Sequence, residues 1–227
     1  MTATEQARRT PEKSDRTPDV LQLVVAAVGG LLPGVFYLAL PDNLSLGPRW
    51  LLLVIEVVLL APPLAWRLIS ERPMPYGLAR GFALALLAVV TAGLIGSIVL
   101  LVSDLPHASR GAQMLRTAVV LWGIDILVFA LWYWEVDGGG PLRRHARPPG
   151  ATDFQFPQQD QPPQADRGER WRPGFIDYLF LAFCSATALS PADTMPLTHR
   201  AKLLMMAEAI ISLLILVLLV ARSVNIL

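Results

Sequence analysis

The sequence predicts an all-α polytopic membrane protein, with about five transmembrane helices plus a re-entrant half-helix and its loop. Three observations predict it. Of 227 residues, 54% are apolar and 16% charged, with a mean hydropathy of +0.49, where a soluble domain would carry more charge and shorter apolar runs. Five apolar runs reach the roughly 20 residues needed to cross a bilayer. A sixth, Gly174–Ser190, is shorter, at about 16 residues and near 24 Å as a helix, against a hydrocarbon core of about 30 Å.

Residues 1–19 are polar and hold Arg8, Arg9, Lys13 and Arg16. They lack the apolar core and small-residue cleavage site of a signal peptide and read as a disordered tail. Residues 20–103 hold three transmembrane helices. The first covers about Val20–Leu40 and contains Gly29, Gly30 and Pro33. The second covers about Trp50–Ile69 and contains Pro62 and Pro63. The third covers about Ala79–Val102. Glycine and proline are tolerated in such helices, because neighbouring helices satisfy the freed backbone groups.

Residues 114–227 form a second unit. A fourth helix spans about 114–136. Residues 137–173 begin "DGGGPLRRHARPPG", are rich in Gly, Pro, Gln and Arg, and read as a mobile linker on which Phe154 and Phe156 dock locally. Residues 174–198 comprise the short apolar stretch and a loop, and 199–224 a last long helix. A half-helix that enters and leaves by one face is tolerated where protein or a water-filled cavity surrounds it.

Composition narrows the function. A net charge of +1 points to no nucleic-acid partner. Cys184 is the single cysteine, so no intrachain disulfide or cysteine metal site is expected. His107, His145 and His199 lack ligand spacing. No nucleophile stands beside a base in a recognisable pattern, so no enzyme, cofactor or metal site is expected. The expected location is a plasma membrane (the inner membrane in a bacterium), crossed several times, with the lipid bilayer as partner.

One stretch carries a resemblance. The loop reads Thr187-Ala188-Leu189-Ser190-Pro191-Ala192-Asp193, then Thr194-Met195, then Pro196-Leu197-Thr198. It resembles the pore loop of the potassium-channel superfamily, T-T-V-G-Y-G-D followed by two residues, P, one residue and T. Thr187, Asp193, Pro196 and Thr198 fall in register, between a short aromatic helix and a long apolar one. "DGGGP" and "SPADTMPLT" are also similar to segments of bacterial membrane proteins of unassigned function. The superfamily resemblance covers about half of the chain. It implies a homotetramer, an outer helix at 114–136, a pore helix at about 174–188, an inner helix at 199–224, and monovalent cations as the permeant species. Thr187–Asp193 would line the pathway, with Asp193 setting the charge at its mouth and Ser212 at the inner-helix hinge position.

The departures matter physically. The two filter glycines, which allow left-handed backbone angles, are replaced by Ser190 and Ala192, where such angles cost about 1–2 kcal/mol each. The tyrosine position is Pro191, which lacks an N–H and restricts Ser190. An ordinary stack of carbonyl rings is therefore not expected, and any conduction would be weakly selective. The plainer alternative is a proline turn between two helices, with Thr198 capping the second, in a six-helix protein that serves as an interaction or assembly partner.

Glu56, Asp125 and Glu208 lie inside apolar segments, where ionisable groups are costly and so are candidates for function. They could share a proton, face a cavity, or bond to hydroxyls such as Thr117 and Ser212. No span repeats Arg or Lys at every third residue, as a voltage sensor would. The basic segments are the N-terminal tail, the Arg67–Arg80 connection and the linker, which places these inside. Potassium-channel loops enter from outside. Three resolutions stay open: the loop enters from the cytoplasmic face, the charge rule fails, or Gly174–Ser190 crosses completely.

Overall fold

The computed structural model describes residues 20–70, 74–104, 111–144, 152–160, 171–187 and 193–224. The expected tail, 1–19, lies outside them. The order of elements is α1 (Val20–Tyr37), α2 (Trp50–Ile69), α3 (Tyr76–Asp104), α4 (Gly111–Val136), the short α5 (Pro141–Arg144), β1 (Phe154–Gln155), α6 (Phe175–Ala186), β2 (Met195–Pro196) and α7 (His199–Val224). Among the described residues the fold is all-α apart from one antiparallel pair of two-residue strands. Among the described residues, four helices are long and apolar enough to cross a membrane: α2, α3, α4 and α7.

The central element is α4. It packs against α1, α3, α6 and α7, while α2 lies outside and packs chiefly on α1 and α3. Leu121, Ile124, Val128, Ala130 and Tyr133 are accordingly buried. Bulky side chains of α2 and α7, among them Val58, Leu68, Ile69, Leu203, Ile210 and Leu213, point outward. An outside that is as apolar as the inside is what lipid as solvent requires.

Helix α4 runs antiparallel to α3, α6 and α7, and side-chain contacts fix the ends. Tyr133 of α4 meets Glu208 of α7, and Asp125 meets Ser212. The Tyr76 hydroxyl, at the start of α3, donates to Gly139 O (2.8 Å), just past the end of α4. A Cβ on Gly29 of α1 would meet the Phe175 ring at 2.8 Å, and that ring packs edge-on against Trp134 (5.5 Å between centroids). The start of α1, the α2–α3 connection, the end of α4 and the starts of α6 and α7 thus share one end of the bundle.

That arrangement places residues 174–187 and 193–198. Helix α6 has 12 residues, about 18 Å at 1.5 Å per residue. It leaves the Asp137 end of α4 and runs inward until Phe183 meets Trp122 (6.0 Å between centroids). Beyond residues 188–192, β2 pairs with β1 through Phe154↔Pro196 and Gln155↔Met195. Both ends of the excursion therefore lie at one end of the bundle. The segment read as a mobile linker is anchored over part of its length. Phe154 is 0% and Phe156 4% exposed, and Phe156 packs on Trp171 and Tyr178.

Candidate functional site

Two polar constructions stand out in this apolar molecule. The first is a clasp at the end of α4. Gly138, Gly139 and Gly140 have φ of 62°, 86° and 91°, left-handed angles that glycine adopts without a Cβ penalty. This turn stops α4 and folds the chain back. The Asp137 carboxylate then accepts from Asp153 N (2.6 Å), Phe154 N (3.2 Å), Arg144 Nη1 (3.3 Å) and the Tyr178 hydroxyl. Asp153 repeats the pattern one strand away. Its Oδ2 accepts from Gly138 N (3.0 Å), and its Oδ1 from the Thr198 hydroxyl (2.6 Å) and Arg200 Nε (2.7 Å).

Asp137 and Asp153 are almost fully buried, and each is bonded several times over, as a buried charge must be. Together they tie α4, β1, α6 and the start of α7. A further tie is Leu197 N to Asp153 O, 2.8 Å. Asp137, Arg144, Asp153, Tyr178 and Arg200 were not singled out from sequence. The one available signal was an aspartate directly between an apolar span and three glycines.

The second construction lies between α4, α6 and α7. The Tyr133 hydroxyl donates to Glu208, and the Ser212 hydroxyl to Asp125. Ser185 of α6 sits beside Tyr133 and Glu208. Glu208 and Asp125 are fully buried. Glu56 stands apart: its Oε2 accepts from Gly34 N of α1 at 3.1 Å, and a Cβ on Gly34 would lie 2.1 Å from that oxygen. Two of the three intramembrane acids are thus brought together, and the third ties α2 to α1.

Of the filter-like residues, Thr187 and Asp193 are among those described. The Thr187 hydroxyl donates to Phe183 O (2.8 Å) and Cys184 O (3.2 Å) of its own helix, so it closes the end of α6. Ala188, Leu189, Ser190, Pro191 and Ala192 lie outside the described residues. Asp193 is exposed, with φ of 54°. Thr198 caps α7 by accepting from Ala201 N (3.3 Å). Ser212, at the hinge position, lies within continuous helix and is 1% exposed. No protein-family model, curated protein or solved structure matches the chain.

Proposed function

We propose that this chain is a multi-pass membrane protein that works as an assembly or interaction partner in the bilayer. The observation that carries this reading is one face of α3. Gly77, Gly81, Ala85, Ala88 and Ala92 recur at helical spacing and are all exposed. A Cβ on Gly77 or Gly81 would meet nothing within 4 Å. Small residues on a membrane helix let a second helix approach closely, and packing of this kind drives association in lipid. The in-register Thr187 and Thr198 support the same reading, because both close helix ends. The test is the size of the purified protein in nanodiscs or mild detergent. Gly81→Leu and Ala88→Leu are expected to dissociate an assembly that Leu203→Ala leaves intact. A wild-type protein that is monomeric and recovers without partners would count against the reading.

In this proposal α1 is a fifth crossing and α6 is re-entrant. Arg67, Arg80, Arg143, Arg144, Arg200 and Lys202 gather at the Asp137 end, with Arg49 and Arg116 toward the other, so the Asp137 end faces the cytoplasm. A second reading is favoured by one observation, the return of residues 174–198 to their starting end. It is a weakly selective, cation-conducting homotetramer that resembles the potassium-channel superfamily, with its loop entering from the cytoplasmic face.

A further inference from the structure

The seam between α4, α6 and α7 contains more polar atoms than it pairs. Glu208 Oε1 and Asp125 Oδ1 are buried without a hydrogen-bond partner in the protein, and the Ser185 hydroxyl lies beside Glu208 and Tyr133. Glu208 and Asp125 are each 0% exposed. Each has its second oxygen bonded to a hydroxyl, of Tyr133 and Ser212 respectively. Glu208 and Ser212 are four residues apart and so share a face of α7. The Tyr133–Glu208 and Ser212–Asp125 bonds set both carboxylates in one α4–α7 seam. The ion pairs of the described residues, Arg49–Asp42, Arg144–Asp137 and Arg200–Asp153, are all elsewhere. A buried carboxylate oxygen with neither a donor nor a cation beside it is costly.

The chemistry of these atoms selects what would satisfy them. All are oxygens of carboxylates and hydroxyls, the hard donors that suit hard cations. The Tyr133 and Ser212 hydroxyls donate to the carboxylates and keep lone pairs free to face a cation. Two carboxylates form a small set, and no group of three or more His, Cys, Asp or Glu that could hold a metal occurs among the described residues. Divalent cations bound by protein usually take six or more oxygens. We propose that the α4–α6–α7 seam is a binding site for one small monovalent cation of sodium size, held by Glu208 and Asp125 with Ser185, Tyr133 and Ser212. A proton competes for the same carboxylates. The titratable groups facing the site are Asp125 and Tyr133 from α4 and Glu208 from α7, with the Ser185 hydroxyl from α6. The inference is independent of the α3 docking face.

The experiment is thermal unfolding of the full chain in nanodiscs, titrated with NaCl, LiCl, CsCl or choline chloride at constant ionic strength. The expected result is saturable stabilisation by sodium or lithium, with caesium and choline inert and the half-saturating concentration rising on mild acidification. Glu208→Gln and Asp125→Asn should raise that concentration at least about tenfold, a loss of about 1.4 kcal/mol of binding. Glu56→Gln, in the other seam, should leave it unchanged. Ser185→Ala removes one hydroxyl oxygen from the site and leaves both carboxylates with their Tyr133 and Ser212 partners. It should weaken sodium binding with the fold intact, and it decides the matter should the acid variants not fold. Equal unfolding in sodium and choline overturns the proposal. So does a sodium effect that survives unchanged in Ser185→Ala and in whichever acid variants fold.

Discussion

At the scale of single residues, the loop's two aspartate environments make opposite predictions. Asp153 is 1% exposed and holds the Gly138 amide, the Thr198 hydroxyl and Arg200 together. Arg200's side chain is 58% exposed, so water replaces most of what it loses. The cost of Asp153→Ala therefore comes from the buried amide and hydroxyl, about 2–3 kcal/mol for two unsatisfied groups. Asp193, the acid that matches the channel pattern, is exposed at φ 54°. Asp193→Asn keeps a residue that tolerates this angle and should stay within about 0.5 kcal/mol of wild type. Denaturation of both variants in mixed micelles measures the difference. Equal effects would mean that the clasp does not hold the loop. The intramembrane acids were legible because a charge among apolar residues stands out. Their partners were less so, since Glu56 is bonded to a backbone amide at Gly34, which leaves no mark in a sequence. Asp137 and Asp153 were hidden for another reason: they sit in a stretch whose Gly, Pro and Arg content is also that of an unanchored linker.

At the scale of elements, run length told most. Helix α2 occupies the expected Trp50–Ile69, prolines included, and α4 and α7 end at the expected Val136 and Val224. The α3 helix extends beyond its apolar run at both ends, from Tyr76 to Asp104. What length left open was whether the sixth run crosses. It fell between a crossing and a half-crossing, and the contacts that bear on it are long-range: Pro196 with Phe154, and Thr198 and Arg200 with Asp153. No local pattern encodes them. They make a sharp prediction. With Cys184 replaced, a cysteine at Gln159 and one at Val224 should lie on opposite sides of the membrane, since in the proposed re-entrant arrangement only α7 crosses between them. In oriented vesicles a membrane-impermeant thiol reagent should label one and spare the other. Labelling of both from the same side would mean that residues 174–190 cross and that the clasp joins surfaces it cannot reach.

At the scale of the whole molecule, the fold class was readable from composition and the packing order was not. Any of the long apolar runs could have been the central one. Helix α4 takes that place because it carries Asp125, Tyr133 and, at its end, Asp137, which bond to α7, α6 and β1, and polar groups in lipid are satisfied by facing protein. The same logic bears on conduction. A selective pathway needs carbonyl or hydroxyl oxygens aimed at an ion in place of its water. Thr187 turns its hydroxyl onto Phe183 and Cys184 of its own helix, and Pro191, flanked by Ser190 and Ala192, opposes the left-handed turns of a carbonyl stack. Glu208 and Asp125 are both fully buried. Purified protein in liposomes under a potassium gradient is therefore expected to pass no more potassium, sodium or caesium than empty vesicles, across neutral and mildly acidic pH. Flux that Asp193→Asn diminishes would instead put that acid at the mouth of a pathway. The α3 face would then be a contact within a channel, and the cytoplasmic entry of the loop its distinguishing feature.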